Sequence, residues 1–492
     1  MMRCCKWYLV VGLGLGIAAT GAIFYLAWRD IFDILVTEEK SLNPGAKAYK
    51  EWRRPRVQPV WRFYMYNWTN AASYLQQPGT MLPRFDELGP FTFDEHSEPV
   101  DVKHHAGNGT LSYRKRTYFR RSLVDISGGK LQQTNITNVN LAALLISFLS
   151  ANLDYFVQRE LSFMLHDLNQ TIETTRPVGQ LLFAGYRGPL WDQARKLLCA
   201  RYQHPGLCDV DRLAYFLTYN ITRKASARYS LGTGVDDRAP YGIVRLWNEG
   251  TIKDSPCEHF DGYTGEMFPS RFDRRQSFPI VLPELCLRLT LDYDGEQLVN
   301  GILGHRFVAK AIEPFNRTDQ CIKADYSLRG YSTLASNECV GLPVYRDDTQ
   351  HNVRSEVQGG DAGMYLIVEP TTGMLLESQT SLKYHTFLTP NAHIGLFQDA
   401  PELYIPLYRF IRYYRLGDAN TQSLKKMLHL LDAGRQIALA GCALGAVVIL
   451  LAVSYAYWNA HRTKTKAPQR KLHAEYHIVR APTSSVGGIV TQ

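Results

Sequence analysis

Residues 7–28 read WYLVVGLGLGIAATGAIFYLAW, and residues 437–458 read IALAGCALGAVVILLAVSYAYW; neither stretch carries a charge. As a helix each is about 33 Å long, enough to cross the hydrocarbon core of a bilayer. Trp7, Tyr8 and Trp28 flank the first stretch, and Tyr455, Tyr457 and Trp458 close the second, the placement of an interfacial aromatic belt. Arg3 and Lys6 precede the first; Arg462, Lys464, Lys466, Arg470 and Lys471 follow the second. The positive-inside bias then puts both tails in the cytosol. The expected order is a cytosolic tail 1–6, a transmembrane helix 7–28, an extracellular or lumenal part 29–436, a second transmembrane helix 437–458 and a cytosolic tail 459–492. A signal peptide cleaved near Ala18–Ala22 is the rival for the first stretch, but the apolar run exceeds the roughly 7–15 residues of a signal core.

The rest of the composition fits a large folded domain between two anchors. The chain has 492 residues, 45% hydrophobic, 12% aromatic and 21% charged, which excludes a disordered polymer. Formal net charge is +9, with +2 in residues 1–6 and +5 in 459–492, so the segment between nets only +2. Such a balance argues against nucleic acid as the main partner. Asn67, Asn108, Asn135, Asn169, Asn220 and Asn316 each open an Asn-x-Thr glycosylation sequon, all between the spans. Cys199, Cys208, Cys257, Cys286, Cys321 and Cys339 also lie there, an even set suited to three disulfides with fifteen possible connectivities. Cys4 and Cys5, beside the first span, are palmitoylation candidates. In the second tail, Tyr476-His-Ile-Val479 has the Tyr-x-x-apolar form read by endocytic adaptors.

Helical patterns fall at 139–168, 189–201 and 419–436, the last running into the outgoing span. Elsewhere alternation predicts strands: 61–68, 111–119, and a hairpin in which Leu285–Tyr293 turns at Asp294-Gly295 and returns over Leu298–Phe307. Met364–Glu369, Pro370–Gly373 and Met374–Glu377 predict a second hairpin. The small pairs Gly12/Gly16 with Ala452/Ala456, and Ala18/Ala22 with Gly441/Gly445, sit at matching depths and would let the two spans pack closely. The expected fold is therefore membrane-anchored α+β, with a large, mostly antiparallel β domain and an inserted helical cluster.

Several blocks resemble the class B scavenger receptors, which include the fatty-acid translocase, lysosomal integral membrane and sensory neuron membrane proteins. Trp52-x-x-Pro55 with Pro59-Val-Trp-Arg-Phe-Tyr-Met-Tyr-Asn-Trp-Thr-Asn70 looks like the family's first strand block. Glu87-Leu-Gly-Pro-Phe-Thr-Phe93, Gly185-Tyr-Arg-Gly-Pro189, Cys257–Gly262 with Gly265 and Phe268-Pro269, and Gly304-His-Arg-Phe307 are similar to later blocks. The likeness covers about residues 1–460. It implies a distorted antiparallel β-barrel ectodomain with an apical helical bundle at about 139–201, flanked by the two transmembrane helices. It also implies a hydrophobic tunnel through the ectodomain, which would shield about 0.8 kcal/mol per CH₂ of a passing acyl chain from water. The likeness pairs Cys257 with Cys321 and Cys286 with Cys339. Cys199 and Cys208 are left over, and a disulfide closing a local loop between them is the expectation; a metal site with His204 lacks a fourth ligand in an oxidising compartment.

Three departures mark a divergent member. Val340–Gly363 lacks the family's Ser-x-Pro-His-Phe block, and Gly188 stands where an acid is usual. Leu165-His-Asp-Leu-Asn169 replaces a lysine-bearing apical helix with an acid and a sequon, which disfavours oxidised lipoproteins. Arg159, Arg176, Arg187, Arg195 and Lys196 dot the helical region, read either as a solvated face or as a patch that steers anionic headgroups or a protein partner.

No catalytic signature is present: there is no Gly-x-Ser-x-Gly, no His-Glu-x-x-His and no phosphate loop. Asp292–Gly295 is too short for a calcium loop, and His104-His105 lacks further ligands, so neither metal nor cofactor is expected. The leading expectation is a receptor, not an enzyme, at the plasma membrane or in endosomes and lysosomes. It would bind lipid (fatty acid, sterol, carotenoid or phospholipid) or lipoprotein and pass the lipid through the tunnel to the membrane. A recognition receptor for apoptotic cells, microbes or a protein partner comes second, and a two-span ligand-gated channel third. Neither span offers the channel an ionisable residue to line a pore.

Overall fold

The computed structural model describes residues 6–121, 133–151, 153–202, 211–216, 228–234, 241–247, 261–270, 274–275, 277–282, 287–309, 345–346 and 363–465. The chain divides into two units, with boundaries at Ile34/Leu35 and Ser423/Leu424.

One unit holds most of α1 (Lys6–Lys40) and of the C-terminal helix Asp418–Thr465. Both helices are long and apolar enough to cross a membrane. The C-terminal helix joins the expected 419–436 segment and the outgoing span without a break. The helices pack through glycine. A Cβ on Gly445 would stand 2.5 Å from the Ala18 nitrogen, and one on Gly21 would stand 2.8 Å from the Cys442 nitrogen. Trp28 Nε1 donates to the Leu431 carbonyl at 2.9 Å. The outer small pair thus packs much as expected. Gly12 and Gly16 differ, because nothing lies within 4 Å of a Cβ at either; Gly14, between them, faces Gly445 and Ile449 instead. A two-residue shift rotates a helical position by about 200°, so Gly14 and the Gly12/Gly16 pair cannot share a face.

The other unit is built on a closed ring of strands: β1 (Val60–Trp68), β2 (Phe85–His105), β3 (Thr110–Arg121), β6 (Arg228–Gly232), β7 (Ile243–Trp247), β8 (Asp261–Tyr263), β9 (Phe278–Leu282), β10 (Leu287–Val299), β11 (Ile302–Ala309), β13 (Gly363–Val368), β14 (Leu375–Leu388) and β15 (Leu403–Arg415). The order is β14-β13-β11-β10-β9-β8-β7-β6-β3-β2-β1-β15, and β15 pairs back onto β14 over Glu377↔Arg415 to Leu388↔Leu403. Among the described strands of the ring every pairing is antiparallel except one parallel contact between β8 and β9. The short β12 (Tyr345–Arg346) adds to β14, and β4 (Asn135–Val139) with β5 (Glu173–Pro177) forms a separate ribbon. Three further helices, α4 (Leu141–Ser150), α5 (Tyr155–Asp167) and α6 (Pro189–Tyr202), follow the small α2 (Lys47–Arg53) and α3 (Ala71–Gln76).

Alternation along the strands explains the core. Trp61, Phe63, Met65, Phe93, Phe119, Tyr408 and Phe410 point inward and join Phe183 and Phe216 in one buried aromatic cluster. Trp61 meets Phe410 at 4.5 Å between ring centroids and Phe119 at 5.2 Å, edge-on. Such pairs add to the area term of burial. Beneath them Trp61 Nε1 and Arg412 Nε donate to Glu95 Oε2 at 2.6 and 2.7 Å. Burial pushes the Glu95 carboxyl up, but the charges of Arg412 and Lys115 and the hydrogen bonds from Arg412 and Trp61 outweigh it and hold the group at about 2.

The β10–β11 hairpin corrects one expected turn. Asp294-Gly295 lies inside β10 at a register shift between Tyr293 and Gly295, and the chain reverses at Asn300-Gly301. Both turn residues have positive φ, 50° and 77°, as a two-residue type I′ turn requires. Asp-Gly and Asn-Gly carry the same turn chemistry, and the deeper strand pairing selects the second. The 363–388 hairpin forms where the sequence places it, with Gly373 at φ 70°.

Two outcomes follow. Arg412→Met strands a buried carboxylate and should cost about 3–5 kcal/mol in chemical unfolding of the whole chain in detergent. Because the folded Glu95 carboxyl lies below its unfolded value, its contribution is full above about pH 4.5 and is lost as pH falls toward 2; the Arg412→Met penalty should shrink over that window as Glu95 protonates. In the helix pair, Gly445→Ile should cost about 1–3 kcal/mol by overpacking, while Gly12→Ile leaves the unfolding midpoint unchanged.

Candidate functional site

The segment Leu141-Ala-Ala-Leu-Leu-Ile-Ser-Phe-Leu-Ser150 is apolar nearly all round, so α4 is buried nearly all round. Asn140 caps it, its side chain accepting from Ala143 N. Asp154 caps α5 by accepting from Phe156 N and Val157 N. Val157, Leu161 and Leu165 recur at i, i+4 and i+8 and form the buried stripe of α5. Ser162 Oγ accepts from Gly395 N at 2.8 Å, and Tyr155 meets His393 edge-on at 5.5 Å, so the loop after β14 clamps the helix.

The other side of α5 breaks the amphipathic rule. Phe156 is 80% exposed and Phe163 60% exposed. With Arg159, Glu160, Met164, Asp167 and Leu168, and with Gln193 from α6, they line an open groove of about 700 Å³. The Arg159 guanidinium lies 5.4 Å from the Phe163 ring centroid. The groove's lining carries one cation and two carboxylates, Glu160 and Asp167. The groove therefore offers aromatic and thioether surface with mixed charge, a fit for an apolar or zwitterionic ligand and a poor one for a polyanion.

The five cations singled out by sequence do not form one patch around the groove. Arg159 lines it. Arg176, on β5, stacks on Tyr186 at 4.8 Å, and Arg187 pairs with Asp192 at 3.4 Å. Arg195 is half-buried on α6, and Lys196 is exposed one turn beyond Gln193. Sequence reading missed Phe156 and Phe163. The available signal was two phenylalanines off the 157/161/165 stripe.

The other candidates fall as follows. Asn108, Asn135 and Asn169 are exposed; Asn67 is half-buried, its Oδ1 accepting from Thr137 N at 2.8 Å. Cys199 is disulfide-bonded. Cys4, Cys5, Cys208, Cys257, Cys286, Cys321, Cys339, Asn220, Asn316, Tyr476 and Val479 lie outside the described residues. Among the described residues no cluster of His, Cys, Asp and Glu is placed to hold a metal.

A strand ring with a helical groove, in a chain with two membrane-length apolar helices, fits a membrane protein with two spans. The CD36 family model covers residues 11–456, and the chain belongs to that family. Protein peste of Drosophila melanogaster is 22% identical over 425 residues, 82% of this chain and 74% of the relative. Sensory neuron membrane protein 1 of Ostrinia furnacalis is 22% identical over 458 residues, 85% and 84% of the two chains. Scavenger receptor class B member 1 of Sus scrofa is 21% identical over 503 residues, 96% of each. The resemblance to class B scavenger receptors read from the sequence therefore holds, and the two long helices fit a membrane protein with two spans.

Leu161→Ala, on the buried stripe, should destabilise the protein by about 2–5 kcal/mol. Phe156→Ser, on the open side, should change stability by less than about 0.5 kcal/mol. Thermal unfolding of both variants checks whether Phe156 serves the fold or the surface.

Proposed function

We propose that this protein is a scavenger-type receptor that captures lipid, or a lipid-bearing particle, at the α5–α6 groove and passes the lipid through the strand ring to the membrane. The observation that carries this reading is the groove itself. Two phenylalanines are kept in water beside Met164 and Leu168, at a cost that a bound apolar ligand would recover. On this reading the helical cluster is the membrane-distal apex, residues 29–436 are extracellular or lumenal, and both tails are cytosolic. No chemical step is needed, since removal of an acyl chain from water drives the transfer. The receptor would work at the plasma membrane or in endosomes and lysosomes, and the relatives' names describe a receptor and membrane proteins, not enzymes.

The mixed charge of the groove favours a second reading. Arg159, Glu160 and Asp167 along its lining would set the register of a protein or cell-surface partner on the same groove.

Native mass spectrometry of the whole glycosylated protein in detergent, followed by loading with a fluorescent fatty acid or sterol, separates the two. A stoichiometric lipid, with binding weakened at least about tenfold in the Phe156→Ser/Phe163→Ser variant, supports lipid capture. An empty, folded protein with no lipid uptake would leave partner recognition as the function.

A further inference from the structure

The strands that turn their aromatic faces inward present a different face outward. On β3, β1 and β15 tyrosine and arginine dominate the outward positions (Arg116, Tyr118 and Arg120; Arg62, Tyr64 and Tyr66; Arg409 and Tyr413), while β2 and β14 between and beside them present Thr92, Asp94, His96 and Lys383. Arg409 lies 4.1 Å from the Tyr64 ring centroid, Lys383 lies 5.3 Å from that of Tyr66, and Arg120 lies 5.2 Å from that of Tyr118. The carboxylates here are largely engaged. Glu87 takes Arg409 through two oxygens, at 2.7 and 3.4 Å, and accepts the Tyr66 hydroxyl. Glu98 takes Arg116 at 3.1 Å, and Glu377 takes Arg415 at 3.4 Å.

Positive charge remains. Arg62, in the middle of β1, is exposed and has no ion pair among the described residues; Arg120 is in the same state. They flank β2 with a two-residue offset, Arg62 opposite Thr92 and Arg120 opposite Asp94, so they stand about 12 Å apart with one carboxylate on the strand between. The approach to β1 adds the exposed Arg53, Arg54 and Arg56. Val57 packs against Gly417, two residues beyond Arg415, so this approach lies at the same rim of the sheet. The segment between the tails nets only +2, so the face is a local concentration and not a general basicity.

We infer that this outer sheet face binds a sulfated polysaccharide chain. Guanidinium forks match the oxygens of a sulfate group, as they match carboxylate and phosphate. The half-buried Tyr64, Tyr66 and Tyr118 rings beside them supply flat, amphipathic surface for sugar rings. An anionic bilayer fits less well. Peripheral membrane binding inserts exposed apolar side chains among the cations, and the large exposed hydrophobic residues of the described chain lie elsewhere, on the long helices, on α5, at Met81–Leu82 and at Leu298/Leu303. This surface is separate from the α5–α6 groove and does not depend on the lipid reading.

The test uses the whole protein in nanodiscs of neutral lipid. Calorimetry and surface plasmon resonance would measure a heparin-derived dodecasaccharide, its desulfated form, and vesicles containing phosphatidylserine. The expected result is binding to the sulfated oligosaccharide that falls with salt, no binding to the desulfated one, and at least a tenfold loss in Arg62→Ala/Arg120→Ala. Both side chains are solvent-exposed, and equal unfolding midpoints would show that the variant folds. Arg159→Ala/Lys196→Ala, on the helical cluster, should bind as the parent does. Absence of oligosaccharide binding overturns the inference. So does loss in the helical variant with retention in the sheet variant. Vesicle binding that depends on Arg62 and Arg120 while the oligosaccharide is ignored would assign the face to anionic lipid instead.

Discussion

The pairing on which everything else rests is the seam at β15. This strand takes β1 along one edge, from Val60↔Tyr413 to Met65↔Tyr408, and β14 along the other, from Glu377↔Arg415 to Leu388↔Leu403. It closes what would otherwise be two open sheet edges, each a row of unpaired backbone groups. Closure also fixes which side of each strand is inside. Once Trp61 and Phe410 are stacked within the ring, Arg62, Tyr64 and Arg409 have no choice but the outside. Glu95 and Arg412 lie on the inner side of the same seam, where a carboxylate survives only because the guanidinium comes with it.

Much of this architecture was legible in the sequence, and the parts that were not share a cause. The spanning helices announce themselves by composition, and the 363–388 hairpin by alternation around Pro370–Gly373. The β10–β11 reversal was misplaced because Asp294-Gly295 and Asn300-Gly301 carry the same local signal, and only pairing with the neighbouring strands chooses between them. The helix-pair contacts erred in the same way at Gly12 and Gly16, where depth was right and rotation wrong. The groove escaped because charge was taken as the marker of a site. The informative residues, Phe156 and Phe163, are apolar and become anomalous only when the buried stripe of α5 is known. The Tyr–Arg face was invisible for a related reason, since its members come from strands up to about 350 positions apart.

Two surfaces of contrasting chemistry thus share one frame. The groove combines aromatic rings with one cation against two acids; the sheet face combines tyrosines with an excess of arginine. Relatives at 21–22% identity align over 74–96% of their own length. At such divergence a packed interior is more constrained than an exposed surface. Function in this chain is accordingly better argued from its own surface residues than from the relatives' names.

The seam has a further consequence for how the molecule is made. β1 can pair with β2 as soon as both leave the ribosome, but its other edge must wait for β15, about 350 residues later. At translation rates of about 5–20 residues per second, that edge stays open for tens of seconds or more. Through that interval Phe63, Tyr64, Met65 and Tyr66 form a β-prone strand tethered at a membrane surface, available to any neighbouring chain. Biosynthesis of this receptor should therefore depend on chaperones that cover one nascent strand until the last one arrives.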